Sequence, residues 1–118
     1  MKKPGDRSES EIGALEILLR LRQVIRDRAA VGADSSYTAK LLAAGPQLPA
    51  KKLAEEAVEL ALAAIGGVKS EIAAEAADVL YHLLVLLQST QVPLEEVCAI
   101  LESREGVSGI AEKASRKK

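Results

Sequence analysis

Apolar residues recur at helical spacing along most of the chain. Ile12, Leu15, Leu18, Leu19, Val24 and Ile25 fall on one stripe and predict a first amphipathic helix over about 9–28. Ser8 with Glu11 three residues on is the capping-box pattern that opens it. The small and polar stretch 31–38 reads as a loop, and a short helix over 39–44 stops at Gly45-Pro46. A third helix begins near Pro49 and ends at Gly66-Gly67. Leu53, Ala57, Leu60, Ala61 and Ala64 form its expected core face, widened by Val58, Leu62 and Ile65, with Lys52, Glu55, Glu56 and Glu59 opposite. Ser70 is the expected cap of a fourth helix running to about Ser89. After a break over 90–93, Leu94, Val97, Cys98 and Leu101 mark a last helix ending before Gly106. Ala and Leu dominate while Phe and Trp are absent, which favours helix over sheet. The expected fold class is all-α.

Acidic residues change this picture from scaffold to site. Glu55-Glu56-x-x-Glu59 and Glu75-x-x-Asp78 flank the double glycine. Carboxylates three and four apart share a helix face, so a short turn folds the two acidic stripes toward each other. By helical rise, Glu59 and Glu75 lie roughly 9 and 8 Å from the turn, and Glu56 and Asp78 about 13 and 12 Å, so like heights oppose. A solvated face is the ordinary fate of Glu runs on helices. The second cluster argues otherwise, because Glu75 and Asp78 sit in a strongly apolar helix with no Lys or Arg run nearby, and unpaired carboxylates there are costly. A divalent cation resolves the repulsion, and an all-oxygen set suits Mg²⁺, or Mn²⁺, better than zinc. Such a site points to a polyphosphate substrate, whose charge the ion neutralises while activating a water. Lys51 and Lys52, one turn before the acids, could add positive charge for the phosphates, although solvated lysines are common.

Bulk properties narrow the function further. The 118 residues form one domain, and a balance of 16 Lys and Arg against 17 Asp and Glu gives no nucleic-acid footprint. No apolar run is long enough to cross a bilayer. The lone Cys98 cannot pair within the chain and reads as a small core residue, which fits a cytoplasmic protein. His82, one turn beyond Asp78, reads as a packing histidine. Val79, Leu80 and Leu83 to Leu87 cover nearly the whole circumference of the fourth helix, which predicts a homodimer that covers the remaining face. Lys40 or Tyr37 of one chain could then reach the acids of the other.

Three strings carry a specific resemblance: Ser36-Tyr37-Thr38-Ala39-Lys40-Leu41-Leu42, Lys51-Lys52-Leu53-Ala54-Glu55-Glu56-Ala57-Val58-Glu59, and Glu75-Ala76-Ala77-Asp78 continued through Val79-Leu80-Tyr81-His82 to Leu87. Over about 36–104 the sequence resembles the phosphoribosyl-ATP pyrophosphatases of histidine biosynthesis, within the wider all-α, MazG-like nucleotide pyrophosphatases. The resemblance implies a helical bundle completed by dimerisation, with an N-terminal helix and loop over 1–35, a pyrophosphatase core over 36–105 and a polar tail over 106–118. It implies Mg²⁺-dependent hydrolysis of phosphoribosyl-ATP to phosphoribosyl-AMP and pyrophosphate. Glu56, Glu59, Glu75 and Asp78 would be metal ligands, with Glu55 a ligand or the group orienting water. Tyr37, Thr38, Lys40 and Lys52 would contact substrate. Ser35 and Ala54 stand where many relatives have Gly, and neither is a proposed ligand. Two alternatives share these features: a MazG-like hydrolase of other nucleoside triphosphates, and a noncatalytic helical interaction module. The small-molecule nucleotide is the expected partner, with no nucleic acid and no membrane.

Overall fold

The computed structural model describes residues 8–32, 36–106 and 116, and among them the protein is all-α. Five helices follow one another: α1 Glu9–Val31, α2 Tyr37–Ala43, α3 Gln47–Gly66, α4 Lys69–Thr90 and α5 Leu94–Ser103. Ser35 and the tail beyond Gly106, apart from Arg116, lie outside the described residues.

Caps explain most of the boundaries. Ser8 Oγ accepts from the Glu11 amide at 3.1 Å, the expected start of α1. Ser36 Oγ accepts from the Ala39 amide at 3.1 Å, so α2 begins earlier than the loop reading allowed, and Tyr37 and Thr38 are its first turn. Ser70 is not the cap of α4: Val68 holds that position in extended conformation without a side-chain bond, and Ser70 falls inside the first turn. One left-handed residue, Gly67 with φ 81°, closes α3 as its amide reaches the Ala63 carbonyl at 3.1 Å. With Gly67 and Val68 as the whole connection, α3 and α4 fold into a tight antiparallel hairpin.

The hairpin is the main packing unit, and α1 and α2 lie against it, chiefly against α4. Ile25 of α1, Leu41 of α2, and Leu84 and Val85 of α4 form the buried core, with Leu18, Leu21, Leu42, Leu48, Tyr81 and Leu94 packed around it. Burying each large side chain of this kind contributes about 1.5–3 kcal/mol. The core therefore clamps α2 against α4, which carries part of the acidic cluster about two to three turns earlier.

Two expectations about faces are overturned. On α3, Leu53 and Leu60 are half-buried as expected and Ala63 joins them, but Ala57, Ala61 and Ala64 and the flanking Val58, Leu62 and Ile65 are exposed, while Lys52 and Glu56 turn partly inward. An alanine-rich helix has little contrast around its circumference, so periodicity alone misplaces its seam. Cys98 is exposed on α5 rather than in the core. The α5 helix docks through Leu94 and an ion pair in which Arg22 Nη1 donates to Glu95 Oε1 at 2.6 Å. Among the described residues no helix is long and apolar enough to cross a membrane.

Candidate metal and phosphate site

The hairpin brings together acids that lie far apart in sequence. One carboxylate oxygen each from Glu56, Glu75 and Asp78 converges to within 4.8 Å of the others. Glu56 faces Asp78 and Glu59 faces Glu75, as the helical rise predicts: Asp78 and Glu59 both act on the Glu56 charge, and Glu59 is the strongest charged neighbour of Glu75. Glu59 is thus adjacent to the cluster without supplying an oxygen to the converging triad. Glu55 points away from it, exposed and paired with Lys52, whose Nζ lies 3.6 Å from Glu55 Oε2.

Electrostatics distinguish this cluster from a solvated acidic face. One oxygen of Glu56 and one of Glu75 are shielded from solvent without any hydrogen-bond partner. Loss of hydration pushes both carboxyls above the usual range, and repulsion from Glu59 and Asp78 adds to it. Shielded, unpartnered carboxylate oxygens gathered from two helices form a hard, anionic donor set. A divalent cation with oxygen preference fits it.

Around the acids lies a small aromatic and hydroxyl network. Thr38 is buried and its hydroxyl bonds to the Tyr81 hydroxyl. Tyr37 is exposed, stacks near Tyr81 with ring centroids 6.5 Å apart, and reaches His82. Desolvation raises the Tyr37 phenol above its ordinary value while Lys52 pulls it back, so the hydroxyl stays protonated at neutral pH. These contacts tie Tyr37 to α4 of its own chain. Lys40 is exposed, and its side chain makes no hydrogen bond or ion pair among the described residues. Tyr81 is a participant that the sequence reading passed over, and His82 is buried as expected. Asp78, Tyr81 and His82 stand at i, i+3 and i+4, so the spacing places all three on one helix face.

Fold and site together define an all-α protein whose central helical hairpin carries an acidic cleft of cation-binding character. The chain belongs to the phosphoribosyl-ATP pyrophosphohydrolase family, whose profile matches residues 18–105. It is 57% identical over 101 residues to the phosphoribosyl-ATP pyrophosphatase of Methylobacterium nodulans, covering 86% of this chain and 94% of the relative. A phosphoribosyl-ATP pyrophosphatase of Cereibacter sphaeroides is 54% identical over 86% of this chain and 99% of its own length. That of Agrobacterium fabrum is 52% identical over 81% and 90% respectively.

Proposed function

We propose that the cleft hydrolyses phosphoribosyl-ATP to phosphoribosyl-AMP and pyrophosphate, the second step of histidine biosynthesis, in the cytoplasm. The convergence of Glu56, Glu75 and Asp78 with two shielded, unpartnered oxygens carries this reading, and the family match supplies the substrate. Glu56, Glu59, Glu75 and Asp78 would hold Mg²⁺, with Mn²⁺ able to replace it. When bound, the ion supplies charge neutralisation for the phosphates and a more acidic water.

The remaining residues divide by position. Lys52 is half-buried between the Glu55 carboxylate and the Tyr37 phenol, where its ammonium can meet a phosphate as a point charge. Glu55, exposed and paired with Lys52, would orient water rather than bind the ion. Tyr37 offers a hydroxyl at the rim, and Lys40 an exposed ammonium. Thr38 supports the substrate side through Tyr81. Purified protein with phosphoribosyl-ATP and Mg²⁺ is expected to release pyrophosphate. Turnover of a dNTP panel with neglect of phosphoribosyl-ATP would replace this substrate with ordinary triphosphates, and absence of both activities would leave an interaction module.

A homodimer completes the reading. Large apolar side chains stay uncovered in the single chain, including Ile65 at 83% exposure, Leu15 at 65% and Leu62 at 63%, and a partner subunit would cover such surface. Sedimentation equilibrium at micromolar protein should return twice the chain mass; the monomer mass alone would reject the dimer. Mixing two differently inactivated variants then tests whether Lys40 serves the neighbouring cleft.

A further inference from the structure

His82 lies against the cleft, yet no step of the reaction has been assigned to it. It is 6% exposed. Its Nδ1 lies 2.8 Å from the Asp78 carbonyl oxygen, and its Nε2 lies 3.3 Å from the Tyr37 hydroxyl. A backbone carbonyl only accepts, so Nδ1 carries the proton and donates. In the neutral ring Nε2 is then an acceptor, and the Tyr37 hydroxyl donates into it. Both phenols hold the imidazole edge-on: Tyr81 at a centroid distance of 4.9 Å and 89°, Tyr37 at 6.2 Å and 78°. Rotation of the ring would disturb both of these contacts and the bond to α4.

This arrangement fixes what Tyr37 can offer to a ligand. Its hydroxyl has one proton, and that proton is directed inward. Tyr37 is 52% exposed, and its oxygen keeps lone pairs for a group approaching from the cleft. We propose that His82 is a positioning residue that turns the Tyr37 hydroxyl proton into the protein, so that Tyr37 meets the nucleotide as a hydrogen-bond acceptor. The group it selects is a donor, either the exocyclic nitrogen of the base or a ribose hydroxyl. A phosphate oxygen, which only accepts at neutral pH, is not its partner. The inference rests on the reading of the cleft as the nucleotide site.

Two substitutions at His82 separate this role from packing. His82→Asn keeps a donor near the Nδ1 position for the Asp78 carbonyl and has no group at Nε2. His82→Gln reaches the Nε2 position with an amide oxygen that accepts from Tyr37. In steady-state assays with phosphoribosyl-ATP and Mg²⁺, His82→Asn and Tyr37→Phe should each raise KM about five- to tenfold with kcat changed less than about twofold. The double variant should be no worse than Tyr37→Phe, and His82→Gln should stay near wild type. Unchanged KM in Tyr37→Phe, or a KM in His82→Gln as high as in His82→Asn, would overturn the proposal. A fall in kcat and Mg²⁺ affinity together in His82→Asn would also overturn it, because the residue would then act through Asp78.

Analogues identify the donor. The Tyr37→Phe penalty should vanish for a substrate carrying a 6-oxo group if the base donates, or for one lacking a ribose hydroxyl if the sugar donates. A penalty that persists with both rejects the acceptor role. A spectroscopic arm is independent of turnover. The chain has two tyrosines and no tryptophan, so in a Tyr81→Phe background phenol absorption reports Tyr37 alone. Adding His82→Asn should shift that band to shorter wavelength, as expected when a phenol loses its acceptor, with helical circular dichroism confirming the fold. No shift in a folded protein overturns the proposal even if turnover fails, whereas a shift without any wild-type turnover upholds the hydrogen bond and rejects only the phosphoribosyl-ATP reading.

Discussion

The cleft carboxylates and the carboxylate that ties α5 to α1 have proton affinities displaced in opposite directions. Glu56 and Glu75 lose hydration and face other acids, and both are pushed above the usual carboxylate range. Glu95 accepts the Arg22 guanidinium at 2.6 Å and is held below it, the hydrogen bond being the main cause. Opposite charge makes the α1–α5 contact self-sufficient. Like charge makes the cleft incomplete, and bound protons or a cation relieve its repulsion.

The largest separation between the two regions should appear in activity. Glu56→Gln, Glu75→Gln or Asp78→Asn keeps side-chain shape and removes charge, and each should lower turnover by more than about a hundredfold, since even outer-sphere partners of a metal site are worth 10–100-fold. Glu59→Gln should fall in the same direction. Glu95→Gln should leave turnover within about twofold of wild type. Calorimetry that found Mg²⁺ affinity unchanged in all four cleft variants would remove these residues from the ion's coordination and erase the distinction.

Acid and base should then act oppositely on the two regions in the absence of divalent cations. For Glu56 and Glu75 the folded value is raised, so their contribution to stability is fully present below the unfolded carboxylate value and is lost as pH rises through the raised one. For Glu95 the folded value is lowered, so its contribution is present above the unfolded value and is lost as pH falls through the lowered one. Thermal melts in a chelator should therefore show the cleft destabilising the protein as pH rises from mildly acidic to neutral, and added Mg²⁺ should remove that decline. Equal pH profiles with and without Mg²⁺ would contradict the assignment.

A smaller effect follows in the same melts at neutral pH without metal. Glu75→Gln should raise the melting temperature by relieving repulsion, whereas Glu95→Gln should lower it. Smallest of all, Arg22→Met should lower the melting temperature by no more than about 5 °C, because Glu95 remains largely solvated and one shielded guanidinium nitrogen of Arg22 has no partner to lose. A larger drop would mean that α5 is held chiefly by charge rather than by Leu94.

Much of this was legible in the residues, for identifiable reasons. Ser8 and the glycines announce chain direction through chemistry that only a helix end uses, and the facing of Glu59 with Glu75 follows from rise per residue and a short turn. The same spacing anticipates that Glu56, Glu75 and Asp78 converge with Glu59 beside them. The seam of α3 was not legible, because alanine is small enough to sit on either face, and Ala57 and Ala61 face solvent in the single chain. Ser70 misled because a good capping residue two positions inside a helix looks the same in sequence as one at its start. The contact of Thr38 and Tyr37 with Tyr81 and His82 depends on how α2 packs across α4, and no local pattern records a tertiary pairing.

The two-residue link at Gly67 and Val68 acts as a ruler for the cleft. Surface turns ordinarily accept insertions at small cost, but here each residue added must either be absorbed within the turn or be transmitted to α4 as about 100° of rotation and 1.5 Å of travel. One such step would carry Glu75 and Asp78 off the face that meets Glu56, while every helix could still form. Loop length, ordinarily free to drift, is in this protein part of the definition of the acidic cluster.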